Sequence, residues 1–107
     1  MYNVEFKSKA LFYLEYYFRK YREYYQKLYE DSGLWNEKQI IEWYNIEAKT
    51  RMQEIVDLIE DRISDEKVLC RTLENTVFLK WRTKFIFVKW EENQKLKTRY
   101  ILELEIR

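Results

Sequence analysis

The sequence predicts an α+β domain with elements in the order β-α-α-β-β-β: a long antiparallel helix hairpin packed on one face of a mainly antiparallel sheet. Three observations predict it. The first residues alternate with a period of two. A helical period then holds, with one interruption at Gly33, from Lys9 to about Ser64. After Asp65 the period of two returns. Proline is absent and Gly33 is the only glycine, so turns are few and elements long. With 107 residues, residues 1–107 are expected to form one domain with a modest core.

Residues 2–7, YNVEFK, place Tyr2, Val4 and Phe6 on one side and Asn3, Glu5 and Lys7 on the other, which predicts a short strand. Ser8 follows as a candidate N-cap. Leu11, Leu14, Phe18, Tyr21, Tyr25 and Leu28 then recur at alternating spacings of three and four, one stripe of a helix that ends near Asp31–Ser32 with Gly33 as a left-handed C′ residue. Asn36 and Gln39 have capping-box spacing, and Trp35 and Ile40 the spacing of a hydrophobic staple. Ile41, Tyr44, Ala48, Met52, Ile55, Ile59 and Ile63 continue a second stripe to about Arg62–Ser64. Two long helices joined by a few residues form an αα-hairpin.

Residues 68–73, VLCRTL, are either a short extra strand or an extended connection. Val77, Leu79 and Trp81 then share one strand face, with Phe78, Lys80 and Arg82 on the other. Residues 84–90 form the next strand, and 91–94, EENQ, a polar break of hairpin length. In the last strand Tyr100, Leu102, Leu104 and Ile106 alternate with Arg99, Ile101, Glu103 and Glu105. Tyr100 is therefore expected in the core and Arg99 on the surface. The first strand must pair with a late one, since a lone strand is not stable.

Composition excludes several chemistries. There is no histidine, so Ser–His and Cys–His nucleophile pairs and His-ligated metals are ruled out. Cys70 is the only cysteine, which precludes an internal disulfide or a cysteine zinc cluster and is expected to be an inert small hydrophobe. One glycine cannot make a Gly-rich phosphate loop. No cofactor and no metal are expected. The opening has no long uncharged run, and no stretch approaches a membrane span, so a cytoplasmic protein without membrane contact is expected.

Charge is uneven. Residues 1–65 hold ten cations and thirteen anions, and residues 66–107 ten cations and six anions. The excess in the second half points either to an anionic partner or to a solvated sheet face. Lys80, Arg82, Lys84, Lys89 and Arg99 are the candidate binding surface. Tyrosine is abundant, with ten residues. Tyr16, Tyr17, Tyr24 and Tyr25 ring the first helix, and one face cannot bury them all; the remainder sit wet at the core margin or make an interface.

The element order, the opening YNVEFKSKALFYLEYY and the ending TKFIFVKW…YILELEIR together resemble the RelE/ParE superfamily, the toxins of type II toxin–antitoxin modules. The resemblance spans nearly the whole chain. It implies a small bacterial toxin of the plasmid-stabilisation kind, neutralised by a cognate antitoxin, alone, as a homodimer or as a toxin–antitoxin heterotetramer. ParE-like members poison DNA gyrase; RelE-like members cut mRNA on the ribosome, using cations on the sheet face. The matching positions here carry Lys84 where the family usually has Arg, and Phe87 where it usually has Tyr. Lysine lacks the bidentate fork that grips phosphate. The residues that complete an RNase site beyond the last strand have no counterpart after Ile106–Arg107. The expectation is therefore a ParE-like binder. The alternatives are an mRNA endonuclease using Lys80, Arg82, Lys84 and Arg99, and a non-toxic adaptor of the same fold. An unpaired sheet edge would suit an antitoxin tail.

Overall fold

A computed structural model describes residues 1–33, 36–71 and 75–107 and bears out the α+β class. Its elements are β1 (Asn3–Phe6), α1 (Ser8–Ser32), α2 (Glu37–Ile63), β2 (Asn75–Trp81), β3 (Lys84–Asn93) and β4 (Thr98–Ile106). The strands lie in the order β1-β4-β3-β2. β2–β3 and β3–β4 are antiparallel, whereas β1 runs parallel to β4, from Asn3 opposite Thr98 to Phe6 opposite Ile101. The helix pair supplies the crossover that a parallel neighbour requires.

β1 passes into α1 without a break. Lys7, not Ser8, is the N-cap residue; its backbone is extended and no side chain caps the helix. The Lys7 N–H donates to Ile101 O while its own carbonyl accepts from Ala10 and Leu11. One residue thus closes the strand ladder and opens the helix, which leaves Ser8 inside the first turn. At the other end Gly33 takes the left-handed conformation (φ 67°) and its N–H donates to Glu30 O. The expected capping box of α2 is complete: Gln39 N–H donates to Asn36 Oδ1 and Asn36 N–H to Gln39 Oε1. The proposed staple residue Trp35, and the 72–73 end of the 68–73 segment, lie outside the described residues; 68–71 form an irregular connection.

The buried face of α1 is Ala10, Leu14, Phe18 and Tyr25, with Tyr21 half-buried. Leu11 and Leu28, expected at its ends, are 46% and 51% exposed. Ala10 displaces Leu11 because the small side chain lets α1 start close to the sheet. Tyr25 and Tyr29 displace Leu28 because they face Trp43 of α2, with ring centroids 5.0 and 5.5 Å from it. α2 buries Ile40, Tyr44, Ala48, Ile55, Ile59 and Ile63; the expected Ile41 is a half-buried flank. Against the helices the sheet sets Ile86, Val88, Trp90, Ile101, Leu104 and Ile106, with Leu79 and Trp81 from β2.

The molecule measures 55 × 21 × 21 Å. Helices of 25 and 27 residues are about 40 Å long, so the pair runs on past the end of the sheet. There Tyr21, Tyr25, Tyr29, Trp43 and Tyr44 hold it together, with centroids 4.8–6.5 Å apart. The Tyr44 hydroxyl donates to Phe18 O across the pair. Among the described residues no helix is long and apolar enough to cross a membrane.

Candidate functional site

The alternation of β4 does not survive intact. Lys89 pairs with Glu103 but Trp90 pairs with Ile101, so Leu102 is an extra residue in the ladder. Such a bulge reverses which face each following residue occupies. Leu104 and Ile106 face the helices as expected. Before the bulge the order is reversed: Ile101 and Arg99 face the helices, and Tyr100 does not.

Arg99 is consequently buried, at 2% exposure, and not a surface residue. Its Nε donates to Glu92 Oε1 at 2.9 Å, Nη1 to Ile63 O at 2.8 Å and Asp65 O at 3.0 Å, and Nη2 to Val68 O at 2.6 Å. The guanidinium lies between the rings of Tyr2 and Trp90, 4.0 and 4.7 Å from their centroids. Every side of this cation is occupied, so it ties the C-terminal end of α2 to the sheet and cannot meet a ligand. Tyr100, expected in the core, is half-buried on the opposite face beneath the Lys7 ammonium.

The other expected cations also part company. The β2–β3 connection is a two-residue turn between the Trp81–Lys84 pair. Arg82 stands in it at φ 55°. It does not share a face with Lys80: its Nε and Nη2 grip Glu54 of α2 at 3.0 and 2.9 Å. Trp81 Nε1 donates to the same carboxylate. The hydrogen bond from Arg82, then that from Trp81, holds Glu54 below the usual carboxylate range. Lys84, opposite Trp81, also points toward the helix layer, 5.9 Å over the Tyr17 ring. Of the five expected cations, Lys80 and Lys89 alone occupy the open sheet face, and Lys89 pairs with Glu103, which Lys9 also binds. The five cations thus lie in three separate places.

The open face has a feature the sequence reading passed over. Phe78 and Phe87 are opposite one another in the ladder with ring centroids 5.2 Å apart. The Arg107 guanidinium covers both, at 5.9 and 5.4 Å, and donates to Glu105. Phe78 is 57% and neighbouring Phe85 52% exposed. Lys80, opposite Phe85, completes the rim. The signal was available: three phenylalanines stand at the polar positions of alternating strands. Cys70 is exposed, not a core hydrophobe, and its Sγ accepts from Asn75 Nδ2. Tyr16 and Tyr24 are exposed and Tyr25 is buried.

Chemically, this face offers stacked aromatic surface bordered by Lys80 and Arg107, with Glu103 and Glu105 beside them. Glu105 is held low by Arg107, and Glu103 by Lys9. Among the described residues no group of carboxylates and cysteine could hold a metal. No family model, curated protein or solved structure matches the chain.

Proposed function

We propose that the chain acts by binding, as a ParE-like toxin component of a type II toxin–antitoxin pair, cytoplasmic and neutralised by a cognate antitoxin. One observation carries the preference for binding over cleavage. The cations a nuclease of this type would gather, Lys80, Arg82, Lys84 and Arg99, are split between the open face, the helix side and the buried interior. What the open face carries instead is exposed phenylalanine, a contact surface and not a site for a developing phosphorane charge. The strand–helix–helix–three-strand order supports the RelE/ParE-like reading. Gyrase is the target that reading implies, and a toxin–antitoxin heterotetramer or a homodimer the assembly.

The test is induced expression in a bacterial host, with and without the neighbouring small open reading frame. Growth arrest relieved by the neighbour is the expected result, together with intact mRNA in translating extracts. Arrest should be lost in Phe78→Ser/Phe85→Ser and kept in Lys84→Ala. Normal growth on induction in the native host overturns the toxin reading; mRNA cleavage lost on Lys84→Ala overturns the preference for binding.

A further inference from the structure

A cleft of about 580 Å³ lies where α2 gives way to β2, on the helix side of the sheet and away from the open face. Its volume is in the range of small-molecule sites. Arg62, Lys67 and Arg71 line it, all exposed, and none has a carboxylate partner among the described residues. Val77 and Trp90 form its apolar floor. We propose that this cleft binds a small phosphate-bearing ligand of nucleoside monophosphate size, a role independent of the toxin reading.

The surrounding charges make the argument. Two carboxylates near this corner are engaged by other cations. Glu66 binds the N-terminal ammonium and Lys97, and Glu92 binds Arg99. Among the described residues Asp65 is the one carboxylate lining the cleft, and its Oδ1 accepts the Lys67 N–H at 2.9 Å. Among the described lining residues, three cations stand against one carboxylate, an excess of positive charge. The backbone adds to it. The carbonyls of Ile63, Asp65 and Val68 all point at the Arg99 guanidinium, so these negative dipole ends are turned inward. The same bonds fix the 63–68 backbone, so this wall of the cleft is set before a ligand arrives. Two guanidinium forks and an ammonium suit the oxygens of a phosphate, and the Val77–Trp90 floor suits the apolar flank of a base or sugar.

Isothermal titration at low ionic strength, with inorganic phosphate, adenosine 5′-monophosphate and adenosine as probes, tests this. Both phosphate-bearing probes should saturate the protein, the monophosphate more tightly, and adenosine should bind at least about tenfold more weakly than the monophosphate. Arg62→Ala/Lys67→Ala/Arg71→Ala should weaken monophosphate binding by about tenfold or more. Lys80→Ala, on the open face, should leave it unchanged. Lys67→Glu, a single exposed change, gives the same answer should the triple variant fold poorly. No saturable binding of phosphate or monophosphate, equal affinity for adenosine, or affinity unchanged in the cleft variants overturns the proposal.

Discussion

Replacing Arg99 with methionine should remove a large part of the domain's stability. The guanidinium makes one ion pair to Glu92 and three bonds to the carbonyls of Ile63, Asp65 and Val68. Arg99 and Glu92 have side-chain exposures of 2% and 4%. Removing one member of a buried pair costs roughly 3–5 kcal/mol because the other charge is stranded. Each carbonyl left without a donor adds about 1–3 kcal/mol unless water reaches it. These terms share one site and do not add, so about 5 kcal/mol is the working figure. Domains of this kind are stable by only about 5–15 kcal/mol. With a urea slope of about 1.5 kcal/mol per molar, the midpoint should fall by about 3 M. Glu92→Leu added to Arg99→Met should recover only part of the loss, since the three carbonyls remain. Urea unfolding followed by tryptophan fluorescence measures both. A midpoint within about 0.5 M of the wild type for Arg99→Met would refute the assignment of Arg99 as the tie between α2 and the sheet.

Further outcomes follow from other contacts. The Arg82–Glu54 pair is more than a third exposed on both sides, so it should contribute only about 0.5–1 kcal/mol. Because Glu54 is depressed in the fold, that contribution is present above the ordinary carboxylate range and disappears as pH falls through the folded value, measurable as a smaller acid-limb slope in Glu54→Gln. Arg82→Ala should be less stable than Arg82→Gly, because only glycine relieves the positive φ, worth about 1 kcal/mol; the opposite order in thermal unfolding would contradict the turn geometry. Burial raises the Tyr25 and Tyr44 hydroxyls above their ordinary value. Stability should therefore hold below about pH 10, where tyrosines of the unfolded chain ionise, and decline above it. Tyr44→Phe should cost about 1 kcal/mol at neutral pH through the lost bond to Phe18 O. Uniform titration of all tyrosines in the folded protein would count against the buried cluster.

The helices were legible because their stripes run for many turns, and error at either end does not move the middle. Leu14, Phe18 and Tyr25, then Tyr44 through Ile63, stand where a 3.6-residue period puts them. β4 was legible only beyond its bulge. A period of two carries no redundancy: one inserted residue exchanges the faces, and Arg99 and Tyr100 changed places for that reason alone. The run Tyr100–Ile101–Leu102, three apolar residues in succession, was the local sign that strict alternation fails there. The turns followed the same pattern. Glu91, Glu92 and Asn93 look like a polar break, yet they extend β3, and the reversal occurs over 94–97 with Lys97 at φ 47°. Glu92 is polar because Arg99 opposes it across the ladder, a pairing that only the register reveals. The dispersal of the cationic site has the same origin. Lys80, Arg82 and Lys84 are close in sequence, but the tight turn between them sends them to different layers.

The parallel pairing of β1 with β4 has a kinetic consequence. Asn3 meets Thr98 only after nearly the whole described chain has closed into a loop, whereas Tyr25 and Trp43 are close in sequence, on adjacent helices. Local contacts form early, and distant pairings wait for a larger loss of chain entropy. The aromatic helix hairpin is therefore the natural folding nucleus, and β1 the last strand to dock. A chain emerging from the ribosome would hold an assembled hairpin and an orphan strand until β4 arrives. During that interval the Arg99 tie is absent, and the end of α2 is free.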